Sequence, residues 1–160
     1  MPNLIVKKSF VGLGIFAGKN FKLGEKILNF QGKIFDYGLM PNNSDFIKGH
    51  FIQIGKSLYL GQSGKEDDYT NHSCNPNAGV KISGKKAWMI AIKNIKKSKE
   101  ITFDYSTTIN EDNFEMECKC NQKNCRKTIK DFKYLPIKTK RKYARLGIVP
   151  EYNLKYCNGQ

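Results

Sequence analysis

Three cysteines fall within one octapeptide, Cys118-Lys119-Cys120-Asn121-Gln122-Lys123-Asn124-Cys125. Thiols that close together can grip a single ion, and zinc is the metal that clustered thiolates suit. A closed structural zinc site takes four ligands in a tetrahedron, so one more must come from elsewhere; Cys74, Cys157, His50 and His72 are the candidates. The plain alternative is three reduced cysteines with no ion. The chain has five cysteines, an odd number that forbids full disulfide pairing. The start of the chain lacks the order of a signal peptide, so a reducing compartment and a metal fit better than a disulfide framework.

A second string, Asp68-Tyr69-Thr70-Asn71-His72-Ser73-Cys74-Asn75-Pro76-Asn77, crowds an acid, amides, a histidine, a serine and a cysteine into ten positions. Adjacent side chains on one loop rarely converge for proton relay, which argues against a hydrolase; without other support the string reads as an Asn/Pro-rich loop. Val11-Gly12-Leu13-Gly14-Ile15-Phe16-Ala17 is a glycine turn feeding an apolar strand. Glycines let a backbone turn sharply and approach a ligand, but the third glycine and the helix of a dinucleotide fingerprint are absent. Glu100-Ile101-Thr102-Phe103-Asp104-Tyr105 reads as a strand with a polar tip.

The elements that must position these groups are mostly β. Short apolar runs at 15–17, 27–30, 51–54, 58–60, 87–92 and 101–103 alternate with Gly, Asn, Ser and Lys turns. No internal repeat or long helical period precedes residue 130. Beyond it Pro136 opens a helix over 137–146, with Gly147 as its stop and Pro150 just past the end. Residues 110–117 carry four acids and read as a flexible link to the cysteine segment.

With 160 residues, 39% of them hydrophobic, the chain suits one compact domain plus a tail. No apolar run is long enough to span a membrane. A formal charge of +14, from 28 Lys and Arg against 14 Asp and Glu, favours polyanions or acidic proteins as partners, or else a solvated basic face. The excess lies late: positions 119–145 hold eleven basic residues and one acid. A zinc-stabilised nucleic-acid-binding module therefore competes with an enzyme. Its weakness is that the tail is rich in lysine, with few arginines and little interleaved aromatic character.

Taken in order, Gly12-Leu13-Gly14, the Asn71-His72-Ser73-Cys74-Asn75-Pro76-Asn77 string, Thr102-Phe103-Asp104-Tyr105 and the cysteine cluster resemble the SET-domain lysine methyltransferases with a post-SET segment. The resemblance runs over about residues 4 to 130. It implies a mostly β SET β-clip fold with knot-like C-terminal threading, in which the Asn71-His72 loop meets the strand ending at Tyr105. A zinc-binding post-SET segment and a short C-terminal helix would follow. The expected divisions are a catalytic domain at 1–110, the post-SET segment at 111–130 and a basic tail at 131–160.

The resemblance also assigns residues. Gly12, Leu13, Gly14, Tyr69, Asn71 and His72 would line the S-adenosylmethionine site, with Thr128 and Ile129 covering the adenine. Tyr105 would be the active-site tyrosine, with Phe103 setting the room in the lysine channel. Cys74 would join Cys118, Cys120 and Cys125 around Zn2+, leaving Cys157 free. The implied partner is a protein carrying a target lysine, a histone or another basic nucleic-acid-associated protein, with weak nucleic-acid contact through the tail. A monomer in the cytoplasm or nucleus is expected, with a secreted effector left open.

Two residues depart from the family pattern. Asp68 stands where an arginine is frequent, so a local ion pair is lost or reversed. Phe30 stands where many relatives have a tyrosine, so one hydroxyl of the lysine pocket is missing, with Tyr37 or Tyr59 as substitutes. These departures keep a SET fold without catalysis in view. Residues 33–60 are expected to form part of the groove that reads the substrate.

Overall fold

The computed structural model describes residues 2–37 and 51–158. His50 lies outside them, as does part of the predicted substrate groove. Among the described residues, five small sheets make up the β portion. The strands β1 (Leu4–Ser9) and β2 (Gly12–Ala17) form a hairpin. β3 (Lys26–Asn29) lies beside β9 (Lys86–Ala91), which also pairs with β8 (Ala78–Ser83). β4 (Ile34–Asp36) and β5 (Ile52–Gln53) flank β6 (Leu58–Leu60).

The pairing that matters for the site is parallel. β7 (Asn71–His72) lies beside β10 (Thr102–Phe103), with Asn71 opposite Thr102 and His72 opposite Phe103. Parallel neighbours need a crossover connection, and here the β8–β9 hairpin supplies it. Two strings thirty residues apart in sequence thus share one ladder, as the SET resemblance implied. Asn77 reinforces the join: its Nδ2 donates to Glu100 O (2.7 Å) and its Oδ1 accepts from Thr102 N–H (3.0 Å). The main core beneath is built from Ile15, Val80, Met89, Ile101 and Phe103, all buried.

Residues 110–117, expected as a flexible link, are paired instead. β11 (Glu115–Glu117) runs antiparallel to β12 (Thr128–Lys130). Ahead of it, Asn110 N–H donates to Gln53 Oε1 (2.7 Å) and Glu111 N–H to Asp131 Oδ1 (2.5 Å). The predicted helix is present as α1 (Ile137–Arg145), with Pro136 at its N-cap and Gly147 at φ +64 just past its end. A second helix, α2 (Glu151–Leu154), follows Pro150.

The C-terminal segment packs on the sheet. Phe132, Leu135, Tyr143, Ile148 and Cys157 form a second buried cluster with Ile90 of β9. The approach is close at Gly79, where an added Cβ would lie 2.6 Å from Ile148 Cγ2. Lys138, Lys142 and Lys155 face outward from a segment whose other face is core, whereas Lys140 is buried with its Nζ donating to Lys133 O.

Candidate functional site

The glycine turn is held to β7 by side chains. Asn71 Nδ2 donates to Leu13 O (3.0 Å) and to Glu100 Oε1 (2.8 Å), and Ser9 Oγ donates to the same carboxylate oxygen at 2.6 Å. At Gly14 an added Cβ would sit 2.4 Å from Glu100 Oε1 and 2.9 Å from Asn71 Nδ2, so only glycine fits this knot. Glu100, which sequence reasoning placed only as the start of a strand, is the hub that ties the turn to β7.

Two adjoining cavities meet at Val11, Asn71, His72, Lys119 and Cys120. The larger, about 870 Å³, is also lined by Phe30, Phe103, Tyr105, Thr108 and Ile129. Among the described residues its walls hold five acids, Asp67, Asp68, Glu111, Glu115 and Glu117, against a single lysine, Lys119. On a chain of +14 this is a local inversion of charge that suits a cationic ligand. Of the predicted cofactor residues, Asn71, His72 and Ile129 line it; Gly12, Leu13, Gly14, Tyr69 and Thr128 are not among its lining residues. Neither are Tyr37 and Tyr59, the proposed substitutes for a missing hydroxyl: Tyr59 is buried beside Tyr37, with the rings 6.2 Å apart. The wall where a second hydroxyl was expected is aromatic, with Phe30 edge-on to Phe103 at 6.2 Å.

Tyr105 begins the helical turn after β10. Its ring packs 4.9 Å from Phe103 and 5.3 Å from His72, its N–H donates to His72 Nδ1 (3.2 Å), and its hydroxyl donates to Thr70 O (2.7 Å). Burial, followed by the charge of Glu100, raises its pKa far above the ordinary phenol value, so it is a neutral hydroxyl at physiological pH. With the proton committed to Thr70, the oxygen lone pairs can accept a hydrogen bond from a ligand.

Asp68, at the arginine position, keeps its carboxylate on the chain itself: it accepts from Ser63 N–H (2.9 Å) and Gly64 N–H (2.7 Å). Asp67 accepts from Gln31 N–H (2.8 Å) and Ser63 Oγ (2.6 Å). In place of the family's ion pair, expected here to be lost or reversed, Asp68 caps backbone amides of its own loop, while Asp67 joins that loop to the segment after Phe30.

The thiols converge. Donor atoms of His72, Cys74, Cys118 and Cys120 all lie within 4.8 Å of one another, and Cys125 packs against the same cluster. Backbone N–H groups point at two of the sulfurs, Arg126 at Cys74 Sγ and Lys127 at Cys125 Sγ, each at 3.4 Å. Such donors fit thiolate ligands. His72 and Cys125 compete for the fourth place. Burial pushes the His72 imidazole down to about 4 despite Asp104, so the ring is neutral. Its Nδ1 accepts from Tyr105, so the proton sits on Nε2, 3.3 Å from Cys74 Sγ. A nitrogen carrying its proton supports a thiolate but cannot ligate a metal, and Cys125 can complete a four-sulfur set. Cys157 is buried in the other cluster, away from this one.

Sequence reading missed Asp104 and Arg126. The Arg126 guanidinium forks onto the Asp104 carboxylate at 2.8 and 2.7 Å, and Asp104 is 1% exposed. The signal was present: Arg126 directly follows the third clustered cysteine. Removing one partner of such a pair leaves a buried charge, so Asp104→Ala should lower stability by about 3–5 kcal/mol, readable as a shift of the denaturant midpoint. A change below about 1 kcal/mol would mean that the pair is solvated.

Comparison with known proteins gives one answer. A family model described as SET domain matches residues 12–106. The chain is 30% identical over 142 residues to the variant-silencing SET domain-containing protein of Plasmodium falciparum (isolate 3D7), covering 76% of this chain and 5% of that protein. It is 25% identical over 138 residues to histone-lysine N-methyltransferase 2B of Homo sapiens, covering 77% of this chain and again 5% of the relative. Among solved structures, KRYPTONITE in complex with mCHG DNA and SAH superposes with a TM-score of 0.63 at 21% identity, over 80% of this chain and 29% of that one.

Proposed function

This chain belongs to the SET domain family, and from that premise we propose that it transfers methyl groups from S-adenosylmethionine to the side-chain amine of a protein lysine. The observation that carries the reading is the β7–β10 pairing, which brings Tyr105 to the wall of a cavity that Asn71 and His72 also line. The name of the human relative supports the reaction class, and the SAH in the KRYPTONITE structure supports the cofactor. A histone or another basic nucleic-acid-associated protein is the substrate in this reading, met by a monomer in the nucleus or cytoplasm. The acidic cavity wall supports it.

S-adenosylmethionine, when bound, supplies an electrophilic methyl group on a sulfonium. The protein's part is to deliver a free amine in line with it. A lysine of pKa near 10.4 is mostly protonated in water. Desolvation between Phe30 and Phe103 favours loss of that proton. Tyr105 Oη, its own proton held by Thr70 O, accepts an amine N–H and turns the lone pair toward the methyl. Asn71 and His72, with the glycine turn tied behind them through Asn71 Nδ2, would hold the cofactor, and Ile129 would form part of its cover. Cys74, Cys118, Cys120 and Cys125 would hold Zn2+, and their closure on one ion would order the β11–β12 hairpin carrying Ile129.

Phe103, which lacks a hydroxyl to hold a bound water or the amine, leaves room for a second and third methyl. The native enzyme is expected to make dimethyl- or trimethyl-lysine, and Phe103→Tyr should shift the product toward monomethyl-lysine. Intact-mass analysis of a long reaction checks this, and monomethyl product alone from the native chain would count against it. The reaction itself is tested by cofactor binding and methyl transfer to a mixed histone preparation; binding without transfer to any lysine would leave a SET fold that has lost catalysis.

A further inference from the structure

Asp104 immediately precedes Tyr105, and its buried carboxylate is held by several elements at once. Arg126 forks onto it from the cysteine segment, Ser106 N–H donates to Oδ1 from the turn (3.2 Å), and His72 Nδ1 lies 3.6 Å from Oδ1. The remaining partner is Tyr143, whose hydroxyl donates to Oδ2 at 3.0 Å. Tyr143 sits on α1, beyond the residues that match the family model. It is 2% exposed and packed in the C-terminal cluster with Phe132, Leu135 and Ile148, so its hydroxyl is aimed by core packing. The same segment braces the turn after Tyr105 a second time, with Asn153 Nδ2 donating to Thr107 O (3.1 Å).

Without the Tyr143 hydroxyl, Oδ2 keeps only Arg126, and the carboxylate can pivot toward Oδ1. That pivot acts in two directions. It pulls on the peptide of Tyr105, and it moves Arg126, whose N–H is directed at Cys74 Sγ. We propose that Tyr143 is a positioning residue for methyl transfer: its hydroxyl fixes the Asp104 carboxylate, and Asp104 fixes the orientation of Tyr105. The inference rests on the reading of Tyr105 as the active-site tyrosine.

Tyr143→Phe in the full chain, assayed with S-adenosylmethionine and a mixed histone preparation below its melting temperature, tests it. A displacement of the aiming group should lower kcat about ten- to a hundredfold while KM for both substrates and the zinc content stay near native. Arg126→Lys keeps the charge but loses the fork and should show the same split. Combined, the two should lose less than the product of their separate losses, because both act through one carboxylate. Native kcat in either folded variant, a loss confined to melting temperature, or losses that simply multiply would overturn the proposal. If Tyr143→Phe does not fold, Arg126→Lys decides alone. Tyr105→Phe run in parallel separates the two readings: full activity there sinks the active-site assignment, whereas its loss beside an unaffected Tyr143→Phe sinks only this inference.

Discussion

Tyr105→Phe is expected to lower methyl transfer at least about a hundredfold while leaving cofactor affinity within a few-fold of native. The size follows from what the hydroxyl does. It stands on an aromatic stretch of wall formed with Phe30 and Phe103, and among the described residues the other hydroxyls lining the cavity, Thr70 and Thr108, are already engaged with Asp67 O and Tyr105 O. Losing one preorganised hydrogen-bonding group at a reacting centre costs about 10²–10³ in rate. The ring itself is retained, with its packing on Phe103 and His72, so the fold and the cofactor side should be spared. Equilibrium binding of S-adenosylmethionine and single-turnover methylation, measured on the same preparation, separate the two effects. Full transfer by the variant would remove Tyr105 from the mechanism.

Metal removal should have the next largest effect. A strong chelator is expected to release one zinc per chain, abolish activity and lower the melting temperature, because binding free energy at a structural zinc site is also folding free energy. The β11–β12 hairpin is only three residues long on each side, too short to persist unaided, and it carries the fully buried Ile129 into the cavity wall. Cys118→Ser should reproduce the chelated state, since Cys118 lies in the centre of the cluster, whereas Cys157→Ser should keep both zinc and activity. Cys125→Ser distinguishes the two ligand sets: if it retained zinc tightly, His72 would have to be the fourth ligand and the proton assignment on its ring would be wrong. A chain without zinc that remained active would end the account of this segment.

How much of this was legible beforehand depended on the range of each interaction. The Asn71–Asn77 string and Thr102–Tyr105 could be read because each is contiguous. Their contact came only through the family resemblance, because a two-residue parallel ladder leaves no periodic trace in sequence. Helix α1 was readable from Pro136 and Gly147, punctuation that acts locally. Strands β4, β7, β11 and β12 are two or three residues long, and β11 lies in an acid-rich stretch with low strand propensity, so tertiary pairing rather than propensity forms them. Asp68 looked like a reversed charge in sequence, but its carboxylate is occupied by the amides of Ser63 and Gly64. Tyr143 was invisible as a site residue because the contact to Asp104 spans 39 positions and the segment around it reads as a basic tail.

The chain spans only 5% of the length of the first relatives described above, so their names cannot supply its substrate. The acidic cavity wall and the single tyrosine hydroxyl do define the chemistry to look for. The most direct measurement is a methyl-transfer assay with isotope-labelled S-adenosylmethionine on a whole-cell protein extract, followed by mass spectrometry of the labelled peptides. The account predicts label on lysine Nζ, in peptides rich in neighbouring basic residues, and no label when Tyr105→Phe replaces the native chain. Saturable cofactor binding with no labelled lysine, or label that persists in Tyr105→Phe, would contradict it.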